Sequence, residues 1–176
     1  MPVLVEAISV VIKAAAIIKH YPGGWPAFER NPPNRTLCAD GELVRVGFMV
    51  PADVKAFVDG LSKYGICYQV DGKAADLVVV DQQRGFATPC DWAEFRQGPL
   101  GGDPKKRVSG CSLVGSEVPE LVTPDGWIYE DSLSAKFRFI ETGENPAFMQ
   151  YLGQKNGLDV YLDLRTGKKM YVGRSN

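Results

Sequence analysis

The chain reads as an α+β fold, and three stretches carry that reading. Residues Leu43 to Met49 (LVRVGFM) alternate like a strand. Pro51 then opens a helix on which Val54, Phe57, Val58 and Leu61 recur at i, i+3, i+4 and i+7, and Gly65 stands where a left-handed residue closes it. Val3 to Ile12 (VLVEAISVVI) is rich in β-branched residues and reads as one buried strand.

The other elements follow in order. Ala14 to Tyr21 favours helix and stops at Pro22-Gly23-Gly24; a second helical turn from Pro26 carries Phe28 inward beside Trp25. Asn31-Pro32-Pro33-Asn34 interrupts regular structure. Thr36–Ala39 and Glu42–Met49 flank Asp40-Gly41, a two-residue hairpin signal. Ile66–Val70 and Asp76–Asp81 suggest another hairpin, turning through Asp71-Gly72-Lys73. Thr88-Pro89-Cys90-Asp91 has the composition of a helix start, with Thr88 as cap and Pro89 at the first helical position. That helix would end by Gly98-Pro99, and the polar stretch Gly101 to Arg107 reads as a mobile loop.

Beyond it, strands are expected at Val108–Val114, Gly126–Glu130 and Ala135–Ile140. A short helix is expected from Asn145 to Gly157, then strands at Leu158–Leu164 and Lys169–Val172 joined by a turn at 165–168. The order across residues 3–81, β-α-β-β-α-β-β, resembles the ferredoxin-like split βαβ arrangement with one added strand, and a mostly antiparallel β-rich part follows it. The expected division is an α+β unit over residues 1–100 and a β-rich extension over 101–176, packed together as one unit. The resemblance is topological and implies no activity, because such folds host many.

Bulk properties narrow the function classes. At 176 residues the chain can bury a core without staples. A net charge of −1, with 20 basic and 21 acidic residues, gives no general attraction to nucleic acid or anionic membrane. Cys38, Cys67, Cys90 and Cys111 form no C-x-x-C pair, and the single histidine is His20; both argue against zinc and for reduced thiols. Val3 to Ile18 is apolar but is interrupted by Glu6 and Lys13 and lacks a basic leader, so the expected location is the cytoplasm, with no membrane span.

Few residues suggest chemistry. Cys90, in the first turn of the expected helix, would feel a positive dipole end that favours thiolate; the plainer reading packs it under Trp92. Asp81, Gln82, Gln83 and Arg84 follow the apolar run Leu77 to Val80, where a strand opens into a loop, and offer donors, acceptors and one guanidinium. With Asp91 and Trp92 they could wall a pocket, or simply be a solvated turn. His20 sits at a helix end, where capping is the ordinary role. Ser109 to Ser116 is glycine-bearing but lacks a G-K-[ST] ending, so nucleotide binding is not expected. Arg165, Lys168, Lys169 and Arg174, with Tyr161 and Tyr171, make a basic C-terminal hairpin that Asp159 and Asp163 offset. Trp25, Trp92 and Trp127 follow loop signals and could anchor an interface.

The expectation is a non-catalytic interaction protein, with another protein or a second copy as partner and an inhibitor of another protein as one form. The alternative is a small-molecule binder or cysteine-dependent enzyme around Cys90 and Asp81–Arg84. No metal or cofactor is implied, and nucleic acid is disfavoured.

Overall fold

The structure, a computed structural model, describes residues 2–116, 120–136, 149–155, 158–163 and 169–173. It is mixed α+β, with several antiparallel sheets and a few helices. The central sheet has five strands: β2 (Ile8–Lys13), β3 (Cys38–Ala39), β4 (Leu43–Phe48), β7 (Leu77–Asp81) and β8 (Gly85–Phe86). They lie in the order β3-β4-β2-β7-β8, every pair antiparallel.

Strand pleating gives this sheet two buried faces. Val10, Ile12, Val44, Val46 and Leu77 share one face and pack under the helices α1 (Ala14–His20), α2 (Gly24–Arg30) and α3 (Pro51–Ser62). Val11, Leu43, Val78 and Val80 share the other. They meet a second sheet, made of β1 (Val3–Val5), β10 (Asp103–Leu113) and β9 (Ala93–Leu100), in the order β1-β10-β9. Its Val3, Val5, Ala93 and Cys111 complete that core.

Helix α3 forms where its periodicity places it. Val54 and Leu61 are buried, and Phe57 and Val58 pack at the margin. Its end is a two-bond cap: Ile66 N–H donates to the Leu61 carbonyl at 3.3 Å and Gly65 N–H to Ser62 at 3.0 Å. Gly65 takes φ +87°, the left-handed value that this closure needs.

Val3 to Ile12 is not one strand. The run breaks at Glu6-Ala7, where Ala7 adopts φ +50°, so β1 joins one sheet and β2 the other. A short stretch buried on both faces shows no periodicity that would mark such a break.

The pairing expected for Ile66–Asp81 also changes. β5 (Gln69–Val70) and β6 (Lys73–Ala74) make a small hairpin around Asp71-Gly72, whereas β7 pairs with β2. The helix expected from Thr88 is a strand: β9 runs beside β10 from Ala93↔Leu113 to Asp103↔Leu100, and this long ladder overrides the local cap signals. Gly101-Gly102 is the tip of that hairpin, Asp103 to Arg107 belong to β10, and a division at residue 100 falls inside the hairpin.

A strap crosses the outside of the β1-β10-β9 sheet. Val122 bonds both Pro2 and Leu4 (2.8 and 2.9 Å), and Leu121 lies over Gly110. The strap continues as a single 3-10 turn (Tyr129–Asp131), where a strand was expected, and as α4 (Leu133–Lys136). Residues 137–140 of the expected Ala135–Ile140 strand lie outside the described residues, as do residues 145–148 and 156–157 of the expected helix and the turn 165–168. The remainder of that helix is a strand, β11 (Met149–Lys155), in a third sheet with β12 (Leu158–Asp163) and β13 (Lys169–Gly173). No helix among the described residues is long and apolar enough to cross a membrane.

Candidate functional site

The residues singled out in the sequence fall in three separate places. Asp81 to Arg84 form the turn between β7 and β8 at the far end of β7. There the Asp81 carboxylate accepts the Gln83 and Arg84 amides (2.8 and 2.9 Å), which accounts for an acid at that position. Gln82 is buried: its side-chain oxygen accepts the Ala7 amide at 2.8 Å, and its own amide donates to the Ala7 carbonyl at 3.0 Å. It braces the kink that splits the first segment. Gln83 is half-buried, with its side-chain nitrogen enclosed and without a hydrogen-bond partner among the described residues, and Arg84 is exposed.

Cys90, Asp91 and Trp92 lie at the opposite end of β7, just before β9. Trp92 donates its indole N–H to Ala74 (3.1 Å), and the Lys13 ammonium stands over its ring at 4.7 Å. Asp91 is exposed, 4.0 Å from Lys73. Cys90 is half-buried, and without a helix there is no dipole at its sulfur. Burial pushes the thiol up, while the Trp92 and Ala93 amides and Lys13 pull it down without prevailing. Its thiolate is thus scarcer at neutral pH than that of a free cysteine. The Asp81–Arg84 turn and the Cys90–Trp92 segment do not share a pocket wall.

Trp25 belongs to neither group. It sits on the helix side of the central sheet, stacked on Phe28 with centroids 6.0 Å apart. Phe28 is buried and meets Tyr21 edge-on at 5.1 Å; Tyr21 in turn meets Tyr64 edge-on at 5.4 Å. The array thus runs from the core to the surface, where Tyr64 is 46% exposed. Ile18, one turn before Tyr21 on α1, is 62% exposed. Lys19 and Lys63 are exposed beside these two residues, and His20 packs against Gly65. Sequence reading passed over Ile18 and Tyr64. The available signal was that Ile18 adds an apolar residue beyond the stripe that Ala14 and Ile17 already fill.

The most polar part of the interior is a seam between the two packed sheets. Arg45, 2% exposed, lies on the inner face of β4. Its Nε donates to Ser9 Oγ (2.9 Å), one terminal nitrogen to the Thr36 carbonyl (3.1 Å) and the other to the Glu6 carbonyl (3.1 Å). The glycine at 47 makes room for it: a Cβ there would lie 2.4 Å from an Arg45 terminal nitrogen. Burial lowers the Arg45 pKa, opposed by Cys38 and Glu6.

The Glu6 carboxylate turns the other way, into the strap. One oxygen accepts the Trp127 indole N–H (2.9 Å), and the other accepts both the amide and the hydroxyl of Ser134 (2.6 and 2.7 Å). Trp127, an interface candidate by its loop setting, is thereby an internal strut. Each buried charge meets several fixed hydrogen-bond partners, which offsets the cost of taking it out of water. Cys38, beside Arg45, is buried and its thiol donates to Val122 (3.6 Å); burial raises its pKa against the pull of Arg45.

Among the described residues no three His, Cys, Asp or Glu side chains are grouped to hold a metal ion. Lys169 is exposed; the other side chains named in the basic C-terminal hairpin lie outside the described residues. No protein-family model, curated protein or solved structure matches the chain.

Proposed function

We propose that this chain acts by binding another protein, through the surface where α1 and α3 end beside Trp25. The observation that carries this reading is the aromatic array that emerges as Tyr64, in ring contact with Tyr21, which lies one turn after exposed Ile18 on the same chain segment. Aromatic side chains already held by neighbours lose little rotamer freedom on docking, so more of the contact energy remains as affinity. An inhibitor of another protein is one form this function would take. No observation favours the pocket alternative, because its two halves lie at opposite ends of β7.

The test is recovery from lysate of cells that naturally make the protein, read by quantitative mass spectrometry. A stoichiometric partner retained by the wild type and by Val114→Ser, and lost by Ile18→Ser/Tyr64→Ser, is the expected result. Equal recovery by that double variant overturns the reading.

The proposal extends to fold and location. A ferredoxin-like arrangement is supported by the strand order: β3-β4-β2-β7 follows the split βαβ pattern, with β8 as the added strand. A cytoplasmic location is supported by Cys67, an exposed free thiol, which suits a reducing compartment.

A further inference from the structure

We infer that the segment docking at Ile18 and Tyr64 is acidic, an aliphatic or aromatic anchor flanked by Asp and Glu. This rests on the protein-binding reading above and adds the partner's chemistry. The two stretches that frame the patch are Ile18-Lys19-His20-Tyr21 and Ser62-Lys63-Tyr64-Gly65; they hold two lysines and a histidine and no acid. Their proximity is fixed at two points, the Tyr21–Tyr64 ring contact at 5.4 Å and His20 Nδ1 at 3.4 Å from a Cβ placed on Gly65.

Neither Lys19 nor Lys63 forms an ion pair among the described residues. The nearest acid earlier on α3, Asp59, is held by Lys55 at 2.6 Å. On α2, Glu29 and Arg30 are both exposed and cancel each other in net charge. A chain of net charge −1 therefore presents a locally cationic rim around its exposed Ile18 and Tyr64. Both lysines also sit at or just past helix C-termini, where they offset the dipole. That role needs only their charge and leaves the ammonium groups exposed. A complementary partner places carboxylates against the rim and an apolar side chain at the centre. Such a pairing quickens encounter and weakens as salt rises.

The probe is a short fluorescent peptide with a central Leu-Trp pair flanked by Glu and Asp; the control carries Lys at the flanks. Binding is followed by anisotropy, and location by amide chemical shifts. The acidic peptide is expected to bind and to shift amides at 18–21 and 62–65. Its affinity should fall about tenfold when Lys19→Glu/Lys63→Glu is introduced, and fall again as salt is raised over the range that screens exposed charges. All these positions are surface-facing, so unchanged urea midpoints confirm that the variants fold.

Equal binding of the lysine-flanked peptide, no binding of either, or indifference to charge reversal overturns the inference. So does dimerisation of the protein through this surface, abolished by Ile18→Ser/Tyr64→Ser, which would make a second copy the occupant. In the lysate experiment, a partner lost by Ile18→Ser/Tyr64→Ser but kept by the charge reversal overturns the acidic partner alone. A partner kept by both variants overturns the docking reading itself.

Discussion

Replacing Glu6 with Ala tests the seam between the sheets most directly. The side chain satisfies three donors at once: the Trp127 indole, the Ser134 amide and the Ser134 hydroxyl. A buried donor left without an acceptor costs about 1–3 kcal/mol, and the three losses here overlap, so they sum to less than three separate penalties. The guanidinium of Arg45 also loses a nearby opposite charge, which adds to the loss. We expect Glu6→Ala to cost about 4 kcal/mol. With a urea m-value of about 2 kcal/mol/M, the midpoint should fall by about 2 M. Glu6→Gln, which keeps an acceptor but turns an NH2 toward donors, should fall between Ala and wild type.

Hydrogen exchange would add location to that result. The amides of Ser134 and Val122 should lose protection before those of β2 and β4, because the strap is the part released. A midpoint change no larger than that of Glu29→Ala, an exposed site, would refute the reasoning.

Other outcomes rest on the same packing. Gly47→Ala should cost about 1–3 kcal/mol, because a Cβ would collide with a guanidinium held by three hydrogen bonds; for a chain of this size the melting temperature should fall by about 2–4 °C per kcal/mol. Thiol labelling should run Cys67 first and Cys90 more slowly, with Cys38 and Cys111 reacting only on unfolding; Cys90 labelling faster than a free peptide thiol would reverse our account of its surroundings. Burial pushes the Cys111 thiol up to about 12 from 9.0. The native state thus keeps a proton that the unfolded chain gives up, and stability present below pH 9 is lost between about 9 and 12. The loss is about 1.4 kcal/mol per pH unit. Urea midpoints of Cys111→Ala should therefore fall less steeply over that range than those of the wild type.

What the sequence revealed divides along local and non-local lines. Helix α3, its glycine closure and the Asp40-Gly41 hairpin depend on residues within a few positions, and each was legible. Asp40 accepts the Glu42 and Leu43 amides (2.8 and 2.7 Å), a bond set contained within the turn. The kink at Ala7 was hidden because an alanine with positive φ carries no mark in the sequence and its neighbours Val5, Glu6 and Ser9 are buried whether they are apolar or polar. Thr88-Pro89 has the local signals of a helix start, but an eight-residue ladder to β10 holds the chain from Ala93 onward as a strand. Arg45 stands in the alternation Val-Arg-Val, where nothing local says which layer covers its face. That face is covered by a sheet whose central strand starts at residue 103. Glu6 and Trp127 are 121 positions apart, beyond the reach of any spacing rule. Trp25 stands beside Phe28 as expected, whereas the exposure of Ile18 and Tyr64 is visible only in the folded chain.

The division of the first segment between two sheets also sets an order of assembly. Residues 8–86 supply every strand of the central sheet, so a chain emerging from the ribosome holds that layer early. Val3-Leu4-Val5 has no strand to join until residues 109–111 arrive, over a hundred positions later. For that interval these three wholly apolar residues stay uncovered, and they are a ready handhold for a chaperone or for a neighbouring nascent chain.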